Sequence, residues 1–147
     1  MHIERLSKDS LQALTVLMLE LWPDCSFEEE YENNKEILRS GKETAFLYKV
    51  IKEDYIGFIT VSLRTDYVEG AITSPVGYVE GIYVKPGYRQ QGIGIQLLAA
   101  AEVWCKEKGC VEMGSDTELD NKLSQIFHQK AGFTEVNRIV CFKKDLR

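Results

Sequence analysis

The turn Arg89-Gln90-Gln91-Gly92-Ile93-Gly94 carries the first legible chemistry in this chain. It follows an aromatic and β-branched run at residues 78–84, which favours a strand, and Lys85, Pro86 and Gly87 end that run. It leads directly into a helical pattern bearing Ile95, Leu97, Leu98 and Ala101. A glycine-bearing turn that opens a helix presents unpaired N–H groups and the positive end of the helix dipole, a setting suited to phosphate. Arg89 adds a charge-assisted donor, and glycine at 92 and 94 lets the backbone come close to an anion. The plain alternative is a loop that uses two glycines only to turn. The turn lacks the lysine and serine or threonine of a G-x-x-x-x-G-K-[ST] loop and the three glycines of a dinucleotide fingerprint, so it points away from both nucleotide folds.

Two carboxylates stand near this turn. Glu80 sits in the middle of the apolar run, where a charge is costly unless it is paired or used, and Asp116 ends the next strand. The alternative makes Glu80 a satisfied mid-strand carboxylate and Asp116 a cap. Trp22 is either the last core residue of a helical stripe or a flat wall at a cleft edge, and Tyr67 lies in a long polar loop. Cys25, Cys105, Cys110 and Cys141 form no C-x-x-C pair and lack the spacing of a metal quartet, so no metal is expected. Cys105 and Cys110 are read as small core hydrophobes.

The elements that must position these residues follow in order. Residues 1–5 predict a short strand. Ser7 predicts the cap of a helix striped by Leu11, Leu14, Leu17, Met18 and Leu21, and Trp22-Pro23 ends it. Residues 26–40 predict a second helix, with Glu28, Glu29, Glu30 and Glu32 near its start and Gly41 as its stop. Residues 44–51 and 55–63 predict an antiparallel hairpin joined by Lys52-Glu53-Asp54, with Gly57 marking a bulge or close packing. Residues 64–76 form a turn-rich loop of functional length. The long helix closes before Gly109, residues 110–115 predict a strand, Asp120 or Asn121 caps a last helix, and Phe133 with residues 139–142 predict closing strands. The order is that of an α/β domain with a mixed, mostly antiparallel sheet and helices on both faces.

The R-x-x-G-x-G turn after Val84-Lys85-Pro86-Gly87-Tyr88-Arg89 resembles the acyl-CoA pyrophosphate loop of the GNAT superfamily of N-acyltransferases. More narrowly, Leu21-Trp22-Pro23, Asp66-Tyr67-Val68, Ser74-Pro75-Val76, Val79-Glu80-Gly81-Ile82, Gly114-Ser115-Asp116-Thr117 and His128-Gln129 ahead of Gly132-Phe133 are similar to the aminoglycoside 6′-N-acetyltransferases. The resemblance implies a GNAT fold with splayed central strands and acetyl-CoA as co-substrate. It implies that N–H groups of Ile82 and Val84, with Tyr83 between them, hold the arm of the coenzyme and the acetyl oxygen. Arg89, Gln90, Gln91, Gly92, Ile93, Gly94 and Ile95 would hold the pyrophosphate, with Asn121 and His128 along the arm. Trp22, Cys25, Tyr67, Glu80, Asp116 and Asn137 would face the drug, and Glu80 and Asp116 would share the work of base and ammonium anchor, with Glu80 assigned the base and the roles exchangeable. Two departures matter. His128 stands where many GNAT members carry a tyrosine that protonates the thiolate, and Asn137 stands where related enzymes have an acidic residue. An N-acetyltransferase for another amine (polyamine, amino sugar or peptide terminus) and a non-catalytic acyl-CoA-binding module remain the competing readings.

The 147 residues fit one domain, 1–147, able to bury a full core, and contain no apolar run long enough for a membrane span. The start is not a signal segment, which makes the cytoplasm the expected location. A formal net charge of −5 argues against nucleic acid and suits a small cationic substrate. A homodimer is expected from the family resemblance.

Overall fold

The computed structural model describes residues 2–51 and 54–147. The elements are β1 (His2–Arg5), α1 (Leu11–Leu21), α2 (Phe27–Arg39), β2 (Glu43–Ile51), β3 (Asp54–Arg64), β4 (Val76–Val84), α3 (Ile93–Glu107), β5 (Met113–Gly114) and α4 (Lys122–Lys130). They build a sheet of order β1-β2-β3-β4-β5, antiparallel except for the β4–β5 pair. Met1 and most of the predicted hairpin connection, Lys52 and Glu53, lie outside the described residues.

Local chemistry accounts for most boundaries. Ser7 and Ser10 form a reciprocal capping box, but around a short 3₁₀ turn at Lys8–Ser10 that feeds α1. Ser26 caps α2 by accepting from the Glu29 amide. Gly41 does not stop α2 as expected. The helix ends at Arg39 because Ser40 is already extended, at φ −79° and ψ 143°.

Period-two alternation along β2 and β3 divides the core between two faces. Leu47, Ala45 and Phe58 pack against Leu14, Leu17 and Met18 of α1, while Tyr48, Ile59 and Val61 pack against Leu97, Leu98 and Ala101 of α3. Helices therefore cover both faces of the sheet. Phe58, Leu14, Leu17 and Leu97 are fully buried, each contributing about 1.5–3 kcal/mol of hydrophobic transfer.

Two irregularities shape the centre of the sheet. In the β3–β4 ladder Thr60 faces Gly81 but Val61 faces Val79, so Glu80 is an extra residue in a β-bulge. Beyond the bulge, β4 loses its other neighbour. β5 pairs only through Gly77↔Met113 and Tyr78↔Gly114, shorter than the strand predicted over 110–115. After Gly114 the chain turns towards α4, with Ser115 tied to His128 and Asp116 tied to Tyr78. A second correction concerns the C-terminal end: Phe133 and residues 139–142 form no strand. Ile139, Val140 and Phe142 are exposed and pair with no strand among the described residues.

Candidate active site

The bulge decides which backbone donors face the open side of β4. The Gly77 amide points to the β5 side, donating to the Glu112 carbonyl at 3.1 Å. The Lys85 amide points the opposite way, to the Ile56 carbonyl of β3 at 2.9 Å. Both positions are odd, and in an unbroken strand they would point alike. The extra residue at Glu80 flips the alternation, so the N–H groups of Ile82 and Val84 face the gap that β5 leaves beside β4. Tyr83 then faces β3 with its amide, and its phenol donates to Glu20 at 2.8 Å.

At the end of β4 the glycine turn opens α3 as its composition suggested. Gln90 and Gly92 adopt positive φ, 62° and 79°, and Gly92 is the N-cap of α3. The first α3 amide to find a helical acceptor is that of Gln96, on the Gly92 carbonyl at 3.1 Å. The amides of Ile93, Gly94 and Ile95 precede it and point out of the helix end. Arg89 is exposed and tethered, its Nε donating to the Val84 carbonyl at 2.7 Å, so the rest of its guanidinium is left beside the turn. Gly94 also makes room for a neighbouring helix. A Cβ there would lie 2.8 Å from Cε1 of Phe127, so it lets α4 pack against the first turn of α3.

Glu80 and Asp116 are both held, in different ways. Arg64 grips Glu80 with two donors, Nη2 to Oε1 at 2.9 Å and Nε to Oε2 at 3.1 Å, and Ser62 Oγ donates to Oε2 at 2.5 Å. The carboxylate raises the pKa of Arg64 through these hydrogen bonds. The guanidinium lies 3.5 Å from the centroid of the Tyr78 ring, and the Tyr78 hydroxyl donates to Asp116 Oδ2. Burial and the neighbouring Asp116 push the Tyr78 phenol far above its ordinary range, so it remains a donor. Among the described residues, the other oxygen of Asp116 has no partner.

The Trp22 ring is shared between the surface and the core. Trp22 is 37% exposed and packs on the ring of Phe58 at 6.4 Å. Its indole also closes on Gly81, where a Cβ would lie 2.6 Å from Cη2, placing the ring next to Glu80 along β4. Cys25 is exposed one turn beyond, its amide on the Trp22 carbonyl; loss of water and the Glu30 carboxylate push its thiol up. Tyr67 is exposed, and its neighbour Val68 is buried against Tyr78 and Gly114, which pins the 65–75 loop to the point where β4 and β5 part. Asn137 reaches that loop from the C-terminal segment. Asn121 caps α4 through Oδ1, on the Ser124 amide at 3.1 Å. His128 engages both ring nitrogens, Nδ1 with the Ser124 carbonyl and Nε2 with Ser115 Oγ, each at 2.7 Å, so a proton would leave or reach it through Ser115.

The acetyltransferase (GNAT) family profile matches residues 5–133. The chain is 40% identical to the aminoglycoside N(6')-acetyltransferase type 1 of Serratia marcescens, over 94% of each chain. It is 38% identical to the enzyme of that name from Salmonella enteritidis, over 98% of this chain and 99% of that one. The solved structure of AAC(6')-Iy in complex with the bisubstrate analogue CoA-S-monomethyl-acetylneamine superposes with a TM-score of 0.94, at 38% identity over 98% and 97% of the two chains. Apo AAC(6')-IG from Acinetobacter haemolyticus superposes at 0.92, with 35% identity over all of both chains. The chain belongs to the GNAT acetyltransferase family.

A GNAT domain needs a place for acyl-CoA, and the residues present fit one. The gap beside β4 offers the N–H groups of Ile82 and Val84 to an arm, and the turn at 89–95 offers amides and a cation to a diphosphate. Sequence reasoning missed Arg64, Ser62, Tyr78 and Ser115, which hold the side chains of Glu80, Asp116 and His128. An antiparallel pairing of residues 55–63 with 78–84 brings Ser62 and Arg64 near Glu80, so a cross-strand search for a counter-charge was the available signal.

Proposed function

We propose that this GNAT chain acetylates the 6′-amine of aminoglycosides, using acetyl-CoA, and thereby confers resistance to them. The observation that carries the proposal is the parting of β4 from β5. It sets the N–H groups of Ile82 and Val84 along the same gap that ends at Glu80 and Asp116. Bound acetyl-CoA supplies the acetyl thioester. The residues around it bind, orient and accept a proton. The Ile82 and Val84 amides suit a carbonyl oxygen that gains charge, because preorganised donors in a sheltered site cost no reorganisation. The turn at Arg89 to Ile95 fixes the diphosphate and so the depth of the acyl group.

An aminoglycoside amine is largely protonated at neutral pH, so an acceptor is needed. Glu80 was assigned this role from the sequence. Its two oxygens already serve Arg64 and Ser62, which suits a fixed anion that orients ammonium groups. Asp116 keeps one oxygen open, and we assign it the proton. Trp22 and Tyr67 offer flat faces to the sugar rings, and the carboxylates of α2 near Cys25 add attraction for a polycation.

The reading extends to assembly and place. Ile139, Val140 and Phe142 are exposed on a segment with no ladder of its own, which favours a homodimer in which a second copy covers them; light scattering of the purified chain tests this. No helix among the described residues is long and apolar enough to cross a membrane, and we take the cytoplasm as the working compartment.

The test of function is thiol release from acetyl-CoA with kanamycin, tobramycin, spermidine and a peptide. Turnover confined to aminoglycosides bearing a 6′-amine supports the proposal. Turnover confined to spermidine or peptide replaces it with the other-amine reading, and tight coenzyme A binding with no turnover replaces it with a binding module.

A further inference from the structure

Glu69 is a carboxylate held ready without a counter-charge. It lies on the 65–75 loop, exposed, immediately after Val68, the residue buried against Tyr78 and Gly114. Two neutral groups steady it through the same oxygen: Asn137 Nδ2 donates to Oε2 at 2.9 Å, and the Tyr67 hydroxyl donates to Oε2 at 3.3 Å. Among the described residues it makes no ion pair, in contrast to Glu80, whose charge is met by Arg64. Val136 closes over Gly70, where a Cβ would lie 2.8 Å from its side chain, so the C-terminal segment packs on the loop next to Asn137. The Glu69 charge also raises the pKa of Tyr67, consistent with direct contact.

An anion oriented by neutral donors keeps its full charge for an incoming cation. Beside it stands Tyr67, an exposed aromatic ring able to lie against a sugar or an ammonium. We propose that Glu69 is a further substrate-binding residue, taking a second ammonium group of a polycationic amino sugar, one other than the reacting amine. Asn137 is then a positioning residue: it aims Glu69 rather than touching the sugar as the family resemblance implied. Tyr67 serves both, as ring wall and as donor to Glu69. The inference rests on the functional reading above and names the residue that sets its preference for polycations.

The experiment compares kanamycin with 6-amino-6-deoxyglucose, a monoamine carrying only the reacting nitrogen. Glu69→Gln should raise KM for kanamycin about tenfold, with kcat and the KM for acetyl-CoA unchanged, and should leave the monoamine constants as they were. Asn137→Ala should raise KM for kanamycin by a smaller factor. The double variant Glu69→Gln, Asn137→Asp restores one carboxylate facing one amide and should recover most of the loss. All three variants lie on the surface and should unfold at the wild-type temperature. An unchanged KM for kanamycin in Glu69→Gln, or an equal loss with the monoamine, overturns the inference while the function stands. A wild-type protein that turns over no aminoglycoside overturns the function and the inference with it.

Discussion

Arg64 meets Glu80 with two parallel hydrogen bonds, at 2.9 and 3.1 Å, and lies 3.5 Å above the ring whose hydroxyl holds Asp116. The two carboxylates are thus joined by one cation and one phenol, and they are not equivalent. Glu80 is neutralised by a resident partner, and Asp116 is aligned by a neutral donor that leaves an oxygen open. Replacing Asp116 by Asn should therefore lower kcat by about 10² or more, because proton acceptance is lost. Glu80→Gln should act mainly on KM for the aminoglycoside. Steady-state constants for both variants check the assignment, and a larger kcat loss in Glu80→Gln reverses it.

The phenol of Tyr78 is kept protonated by burial and by Asp116, so it donates at every working pH. Tyr78→Phe removes that donor while keeping the ring under Arg64. We expect kcat to fall about tenfold, consistent with loss of one hydrogen bond to a charged group, and KM for acetyl-CoA to stay unchanged. Rates from about pH 6 to about pH 9 should show no step in the wild type that Tyr78→Phe abolishes.

Gly92 opens the 89–95 turn, the proposed coenzyme site, at φ 79°, a conformation that costs an L-residue about 1–2 kcal/mol. Gly92→Ala should lower stability by about that amount and weaken coenzyme A binding about tenfold as the exposed amides shift. Calorimetry and thermal unfolding measure the two effects separately. Unchanged affinity in a destabilised variant would remove this turn from the coenzyme site.

Glu112 latches the 65–75 loop to β5. Its Oε1 accepts from the Ile72 amide at 3.0 Å, the Thr73 amide at 2.9 Å and the Thr73 hydroxyl. The Thr73 hydroxyl first, then the Ile72 amide, hold its carboxyl below the ordinary 4.5. A depressed carboxyl contributes its stabilisation above the unfolded value and loses it as pH falls through the folded one. Exchange protection of the Ile72 and Thr73 amides should therefore persist as pH falls from neutral through the ordinary carboxyl value and be lost only at pH below it. Glu112→Ala should abolish it at neutral pH and raise KM for the aminoglycoside through the loosened Tyr67 and Glu69.

The contrast between Gly92 and Glu80 shows what was legible beforehand. Gly92, Pro86 and the stripe of α1 announce themselves by residue type, since few residues tolerate φ near 79° and the apolar spacing repeats every turn. The glycine turn, both helical faces and the two carboxylates could be named on that basis. The bulge at Glu80 could not, because it is a mismatch between two strands and neither strand shows it alone. The same holds for Arg64 and Tyr78, which become site residues only once register is known. The predicted strand at 139–142 misled for a related reason: Ile139, Val140 and Phe142 suit a strand by propensity, but propensity does not supply a partner, and among the described residues no strand pairs with them. The contact of Gly94 with Phe127 was not legible either, since it joins residues from two helices.

The proposed reaction is a single act, transfer of an acetyl group to the 6′-amine with Asp116 as the proposed proton acceptor. The most direct measurement is two-dimensional NMR of the product formed from kanamycin and acetyl-CoA, with the Asp116→Asn variant run beside the wild type. The predicted result is one acetyl group, on the 6′-nitrogen alone, formed by the wild type and strongly slowed in the variant. An acetyl group on another nitrogen, or equal product from both proteins, contradicts it.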